Sequence, residues 1–123
     1  MKSVIIKGDG YNLSGTIIKP DADGKLPAVI FYHGMISQSK PRCVARGEEL
    51  AEERIGSLSF DFRGCGESDG KLGKLSLKDW LDDALLAFDY LLKQEFVDKE
   101  RAGISGKSFG GYMGTLVCGK RNV

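Results

Sequence analysis

Histidine is almost missing from this chain: His33 is the only one in 123 residues. Any serine chemistry is left with a single imidazole to draw on, and a histidine-based metal cluster is excluded. Cysteine is sparse too. Cys43, Cys65 and Cys118 are odd in number, far apart and without a CxxC pair, so neither a disulfide framework nor a thiolate metal site is expected, and a reducing compartment fits best. An excess of one charge is also absent. Eighteen Lys and Arg face seventeen Asp and Glu, net +1, with no basic block, which argues against a nucleic-acid partner. No apolar run approaches membrane-spanning length, and Val4-Ile5-Ile6 is far too short for a signal-peptide core. The expectation is a cytoplasmic protein without a membrane partner.

What remains is ordinary globular material. Hydrophobic residues make up 41% and charged residues 28%, and a chain of this length buries roughly two thirds of its unfolded surface. β-Branched residues over 3–7 and 11–19 flank Gly8-Asp9-Gly10, which predicts an opening antiparallel hairpin ended by Pro20. Ala28 to Tyr32 is a continuous apolar run between Pro27 and Gly34, as expected of a central strand covered on both faces. Arg42 to Arg54 has helical spacing of Val44, Leu50 and Ala51, weakened by Gly47 and with Gly56 placed to cap it. Leu58 to Phe62 returns to strand character, and a glycine-rich loop follows.

The clearest pattern lies over Leu77 to Phe96. Leu77, Trp80, Leu81, Ala84, Leu85, Phe88, Leu91 and Leu92 form one apolar stripe, and Ser76 with Asp79 fits a capping box. Asp79, Asp82, Asp83 and Asp89 read as a solvated face, since no converging partner marks a metal site. Arg101 to Ser105 is a last short strand, and Tyr112 to Cys118 a small-residue helix stopped by Gly119, with Lys120 and Arg121 suiting its negative end. The order hairpin, strand, helix, strand, helix, strand, helix predicts an α/β fold: an antiparallel entry into a mostly parallel sheet, with helices on both faces.

Two G-x-S-x-G strings occur, where this glycine and serine content makes a chance match expected roughly 0.2 times. Gly66-Glu67-Ser68-Asp69-Gly70 lies in a loop and is read as incidental. Gly106-Lys107-Ser108-Phe109-Gly110 has a strand before it and a helix after it, the setting of a nucleophile elbow. Its bland alternative is a glycine-rich turn whose serine caps the next helix. Gly106-Lys107-Ser108 also imitates the end of a phosphate-binding loop, but that motif needs glycine at 101, which is arginine. Starting from Gly103 leaves only Ile104 and Ser105, too few amides to wrap a phosphate.

Three stretches together resemble the α/β-hydrolase family, in the manner of bacterial serine esterases and acyl-peptidase-like enzymes: Phe31-Tyr32-His33-Gly34-Met35, Phe60 to Gly70, and Gly106 to Gly111. The resemblance implies that Ser108 is a nucleophile attacking an ester or amide carbonyl of a small molecule, with no metal or cofactor. It further implies oxyanion-hole donors at the backbone N–H of Phe109 and of Met35. His33 would shape its loop rather than act as base, because the family order is serine, acid, histidine. Asp61 and Arg63 would brace a loop, and Glu67 and Asp69 would be solvated. Phe31, Tyr32, Met35 and Phe109 would more often be core than specificity determinants.

The triad acid and histidine would lie beyond residue 123, so residues 1–123 are expected to be one partial domain ending after the elbow helix, inactive alone. The outer edge of the last strand would then be open to a second chain or to the missing C-terminal half. A non-catalytic binding or assembly module, or one half of a two-chain hydrolase, is the alternative reading. A peptidase is the weaker one.

Overall fold

A computed structural model describes residues 1–35 and 40–123. The hairpin forms as β1 (Lys2–Lys7) and β2 (Asn12–Ile18), paired antiparallel from Lys2 opposite Ile17 to Lys7 opposite Asn12. It is followed by β3 (Leu26–Tyr32), α1 (Pro41–Glu52), β4 (Gly56–Phe60), α2 (Leu77–Leu92), β5 (Val97–Gly106) and α3 (Phe109–Lys120). The five strands run β1-β2-β4-β3-β5 across one sheet, with β2 antiparallel to β4 and β3 parallel to both β4 and β5. β3 is interior as the apolar run predicts, although β4 holds the middle position. No helix among the described residues is long and apolar enough to cross a membrane.

Alternation along the strands sorts side chains between the two faces. Ile30 and Tyr32 of β3 and Leu58 and Phe60 of β4 pack with Ala84, Ala87, Phe88 and Leu91 of α2 and Met113 and Val117 of α3. Ser57 of β4 meets α1 at Gly47, where an added Cβ would collide with its side chain. Gly47 is therefore a packing requirement in α1 rather than only a weak point.

Helix ends depart from the sequence reading for identifiable reasons. α1 is closed by Arg54 at φ 62°, not by Gly56: Arg54 N–H donates to the Ala51 carbonyl and Ile55 N–H to that of Leu50, the paired bonds of a Schellman motif. Gly56 is instead the first residue of β4, where the Phe96 ring leaves no room for a Cβ. α2 starts at the expected capping box, with both reciprocal bonds between Ser76 and Asp79 present. It ends at Leu92 because Phe96 turns toward the sheet, its carbonyl accepting from Leu26 N–H. Leu77 is half exposed, while Asp83, assigned to the solvated face, is fully buried.

That burial has a cause. Arg63 donates to Asp83 through its backbone N–H at 2.8 Å, its Nε at 3.0 Å and its Nη2 at 2.8 Å. The guanidinium also lies 3.6 Å above the Tyr11 ring. Asp79 serves the cap, Asp82 pairs with Lys78, and Asp89 pairs with Arg121 at the end of α3. β5 is twice the expected length, with a register irregularity between its pairings to Leu26 and Ala28. α3 begins three residues early and continues through Gly119 to Lys120.

Candidate active site

β5 ends at Gly106 and α3 begins at Phe109, so the reversal from strand to helix takes place in Lys107 and Ser108 alone. Ser108 has φ 54° and ψ −117°, a backbone state that costs an L-residue of order 1–3 kcal/mol. Its side chain makes no cap bond to α3 and the residue is exposed. The incidental alternative, a capping serine, therefore does not describe it. The turn is held by Lys107 N–H to the Tyr32 carbonyl at 3.2 Å and Gly110 N–H to the Lys107 carbonyl at 2.9 Å.

The surrounding glycines are steric necessities. A Cβ on Gly106 would stand 2.6 Å from the Gly111 nitrogen, and one on Gly110 would stand 2.8 Å from the His33 carbonyl oxygen and closer still to that of Tyr32. Gly114 would meet Ile104 at 2.9 Å, whereas Gly111 has ordinary clearance. Backbone of β3 thus presses directly on the first turn of α3.

The competing Ser68 is committed elsewhere. Its hydroxyl accepts from Ser14 N–H at 2.8 Å and donates to the Asp61 carbonyl, stitching the loop after β4 to β2.

His33 follows the end of β3 and is buried. Its Nε2 accepts from Phe62 N–H at 3.0 Å, which fixes the proton on Nδ1, and Nδ1–H donates to the Gly34 carbonyl at 3.0 Å. Burial pushes its pKa below the usual histidine value, the Gly34 carbonyl and Asp61 opposing only in part. Both ring nitrogens are occupied by backbone, as expected of a loop-shaping residue.

Met35 is half-buried two residues beyond, its sulfur 4.0 Å from Cys65 Sγ. Tyr32 pairs with Gly106 across the sheet, so Met35 and Ser108 leave adjacent strand ends. Phe109 opens α3, where its N–H has no intrahelical acceptor. Its ring packs edge-on against Phe62 at 5.7 Å and Trp80 at 5.3 Å. A cavity of about 300 Å³ lies between the first turns of α1 and the ends of β3 and β5, bordered by His33, Gly34 and Lys107.

Asp61 and Arg63 brace the loop as the resemblance implies. Glu67 and Asp69 are not simply solvated: Glu67 pairs with Lys40 at 2.8 Å and Asp69 accepts from Asn12 N–H at 2.8 Å. Lys40 carries no motif of its own and is unmarked by its neighbours in sequence, because its partners lie 21 and 27 residues away.

A five-stranded mixed sheet, helices on both faces and a strained serine between strand and helix define the α/β-hydrolase class. A family model described as serine aminopeptidase, S33, matches residues 25–122, and the chain belongs to that family of α/β hydrolases. It is similar, at 32% identity over 92 residues, to an uncharacterized 31.7 kDa protein of the traX-finO intergenic region of Escherichia coli, covering 75% of this chain and 32% of that protein. It is also similar at 30% identity to the quorum-quenching protein AidA of Acinetobacter baumannii, covering 80% and 33%. Among solved structures, Est1E from Butyrivibrio proteoclasticus with ferulic acid bound superposes with a TM-score of 0.85 at 31% identity, over 95% of this chain and 47% of that one. The chain thus spans about a third of these curated relatives and under half of the solved one.

Proposed function

We propose that this chain is the nucleophile-bearing part of a serine hydrolase acting on carboxylic esters. Ser108 Oγ attacks the carbonyl carbon, its proton passing to a base; the ester C–O bond then breaks, the alcohol leaves with that proton, and water later hydrolyses the acyl-serine to release the carboxylic acid and regenerate the hydroxyl. Backbone N–H groups of Phe109 and Met35 receive the oxyanion, each worth about 3 kcal/mol in the transition state. The observation that carries this reading is the exposed Ser108 in left-handed backbone directly between β5 and α3. The carboxylic acid held by the solved relative, ferulic acid, is of the kind an acyl-serine would release.

Within these 123 residues the base is wanting. His33 is the sole histidine and is engaged at both nitrogens, and an alcohol without an adjacent base is a poor nucleophile. In this reading the acid and the imidazole are supplied by polypeptide outside residues 1–123. A fluorophosphonate probe tests the assignment. Labelling of Ser108 should be negligible with the chain alone and appear when millimolar imidazole is supplied as a substitute base. Rapid labelling without any added base would overturn the missing-base argument, and no labelling under either condition would remove Ser108 as nucleophile.

A second reading, one half of a two-chain hydrolase or an assembly module, is favoured by β5, which pairs only with β3 among the described strands. Labelling that needs a second polypeptide instead of imidazole would select it.

A further inference from the structure

Three rings meet beside the bend. Phe109, the first residue of α3, stands in a corner between Phe62, with ring centroids 5.7 Å apart and planes at 76°, and Trp80 of α2, at 5.3 Å and 80°. Both contacts are edge-to-face, an arrangement that aromatic quadrupoles favour.

Each wall of this corner is itself fixed. Phe62 is fully buried, edge-on to His33 at 5.1 Å, and its N–H donates to His33 Nε2. The indole N–H of Trp80 donates to the Arg63 carbonyl at 3.0 Å. Arg63 in turn is fastened to α2: its backbone N–H, Nε and Nη2 donate to Asp83, and Nη2 donates also to the Asp79 carbonyl at 2.9 Å. The loop after β4 and α2 thereby hold one another, and the Trp80 ring reaches Phe109 from that junction.

Phe109 needs such walls because of its neighbour. The strained state of Ser108, φ 54° and ψ −117°, persists only where the surroundings over-determine it. Relaxing toward the ordinary left-handed well, at ψ of about +30 to +60°, would turn the peptide that joins Ser108 to Phe109 and swing the Phe109 N–H away. On its carbonyl side this peptide is tied by Tyr112 N–H at 3.1 Å. On its nitrogen side nothing within α3 accepts, and the Phe109 ring in its corner supplies the second restraint.

We infer that Trp80 is a positioning residue for the oxyanion donor: held by Arg63, which Asp83 anchors, its ring keeps Phe109 and hence the Phe109 N–H in the direction the reaction needs. This rests on the reading of Ser108 as nucleophile and adds a residue to it. A displacement of about 1 Å at such a donor costs up to a hundredfold in rate.

The test uses the 123-residue chain with millimolar imidazole as base and a fluorophosphonate as electrophile, whose phosphoryl oxygen takes the oxyanion's place in the adduct. Trp80→Leu removes the edge contact, and Phe109→Leu removes its other partner while keeping the N–H. Each should slow labelling of Ser108 about tenfold. The double variant should be no slower than either, because both break one contact. Trp80→Phe, which keeps a ring, should recover part of the rate. In the unsubstituted adduct the Phe109 amide proton should move downfield in a proton–nitrogen correlation spectrum, the mark of a hydrogen bond to the phosphoryl oxygen; in Trp80→Leu that displacement should be lost. Losses that multiply in the double variant, or a Trp80→Leu adduct that keeps the full displacement, would make Trp80 a general stabiliser and overturn the proposal. Unchanged labelling in Trp80→Leu does the same. Should Trp80→Leu not fold, Phe109→Leu and Trp80→Phe carry the test, and unchanged labelling in both is the contrary result. Absence of labelling in the unsubstituted chain defeats the nucleophile reading, and the positioning role falls with it.

Discussion

Ser108 is held where its own backbone preference would not put it. A glycine at φ 54° and ψ −117° escapes the Cβ clash, so Ser108→Gly should raise stability by about 1 kcal/mol in urea unfolding even after the entropy a glycine adds to the unfolded chain. A loss of stability would show that the turn carries no strain. His33 gives a second residue-level test. Its folded pKa lies below its unfolded one because of burial, so on acidification the unfolded chain takes up a proton that the folded one refuses. Its contribution is complete above about pH 6.5 and is lost as pH falls through the depressed folded value. Since no other histidine exists, thermal melts of His33→Gln should lack the part of the decline that begins near pH 6.5; an unaltered pH profile would contradict this. Both residues were legible in the sequence, Ser108 from its flanking glycines and His33 from its solitude. Lys40 and Asp83 were not, since their importance comes from Asp61, Glu67 and Arg63, which only folding brings to them.

Among the elements, those defined by local chemistry were readable and those shaped by distant partners were not. The hairpin follows from its glycine turn, and α2 from its stripe and capping box. Ser76→Ala should cost about 1 kcal/mol of stability, measured by thermal or urea unfolding. The start of β4, the length of β5 and the start of α3 depend on Phe96, Leu26 and Tyr32, far off in the chain. β4 carries a less visible burden. The hydroxyls of Ser57 and Ser59 are buried without a hydrogen-bond partner among the described residues, and an unpaired buried hydroxyl costs about 1–3 kcal/mol. Ser59→Ala should therefore be neutral or stabilising by up to about 1 kcal/mol, and a marked loss of stability would mean that the hydroxyl has a partner after all.

On the scale of the molecule the sheet is asymmetric. One border is the hairpin strand β1, and the other is β5, whose outer N–H and C=O groups face no strand among the described residues. An open border of this kind invites pairing with another chain. Light scattering on the purified chain should show association that grows with concentration, and a monodisperse monomer unfolding cooperatively would count against it. Beside the other end of this strand, one contact offers a practical return. Trp80 is the only tryptophan, its ring meets Phe109 edge-on at 5.3 Å, and its indole N–H donates to the Arg63 carbonyl at 3.0 Å. Its emission spectrum is therefore a native optical gauge of the bend next door, able to register an adduct or a docking segment without any dye attached.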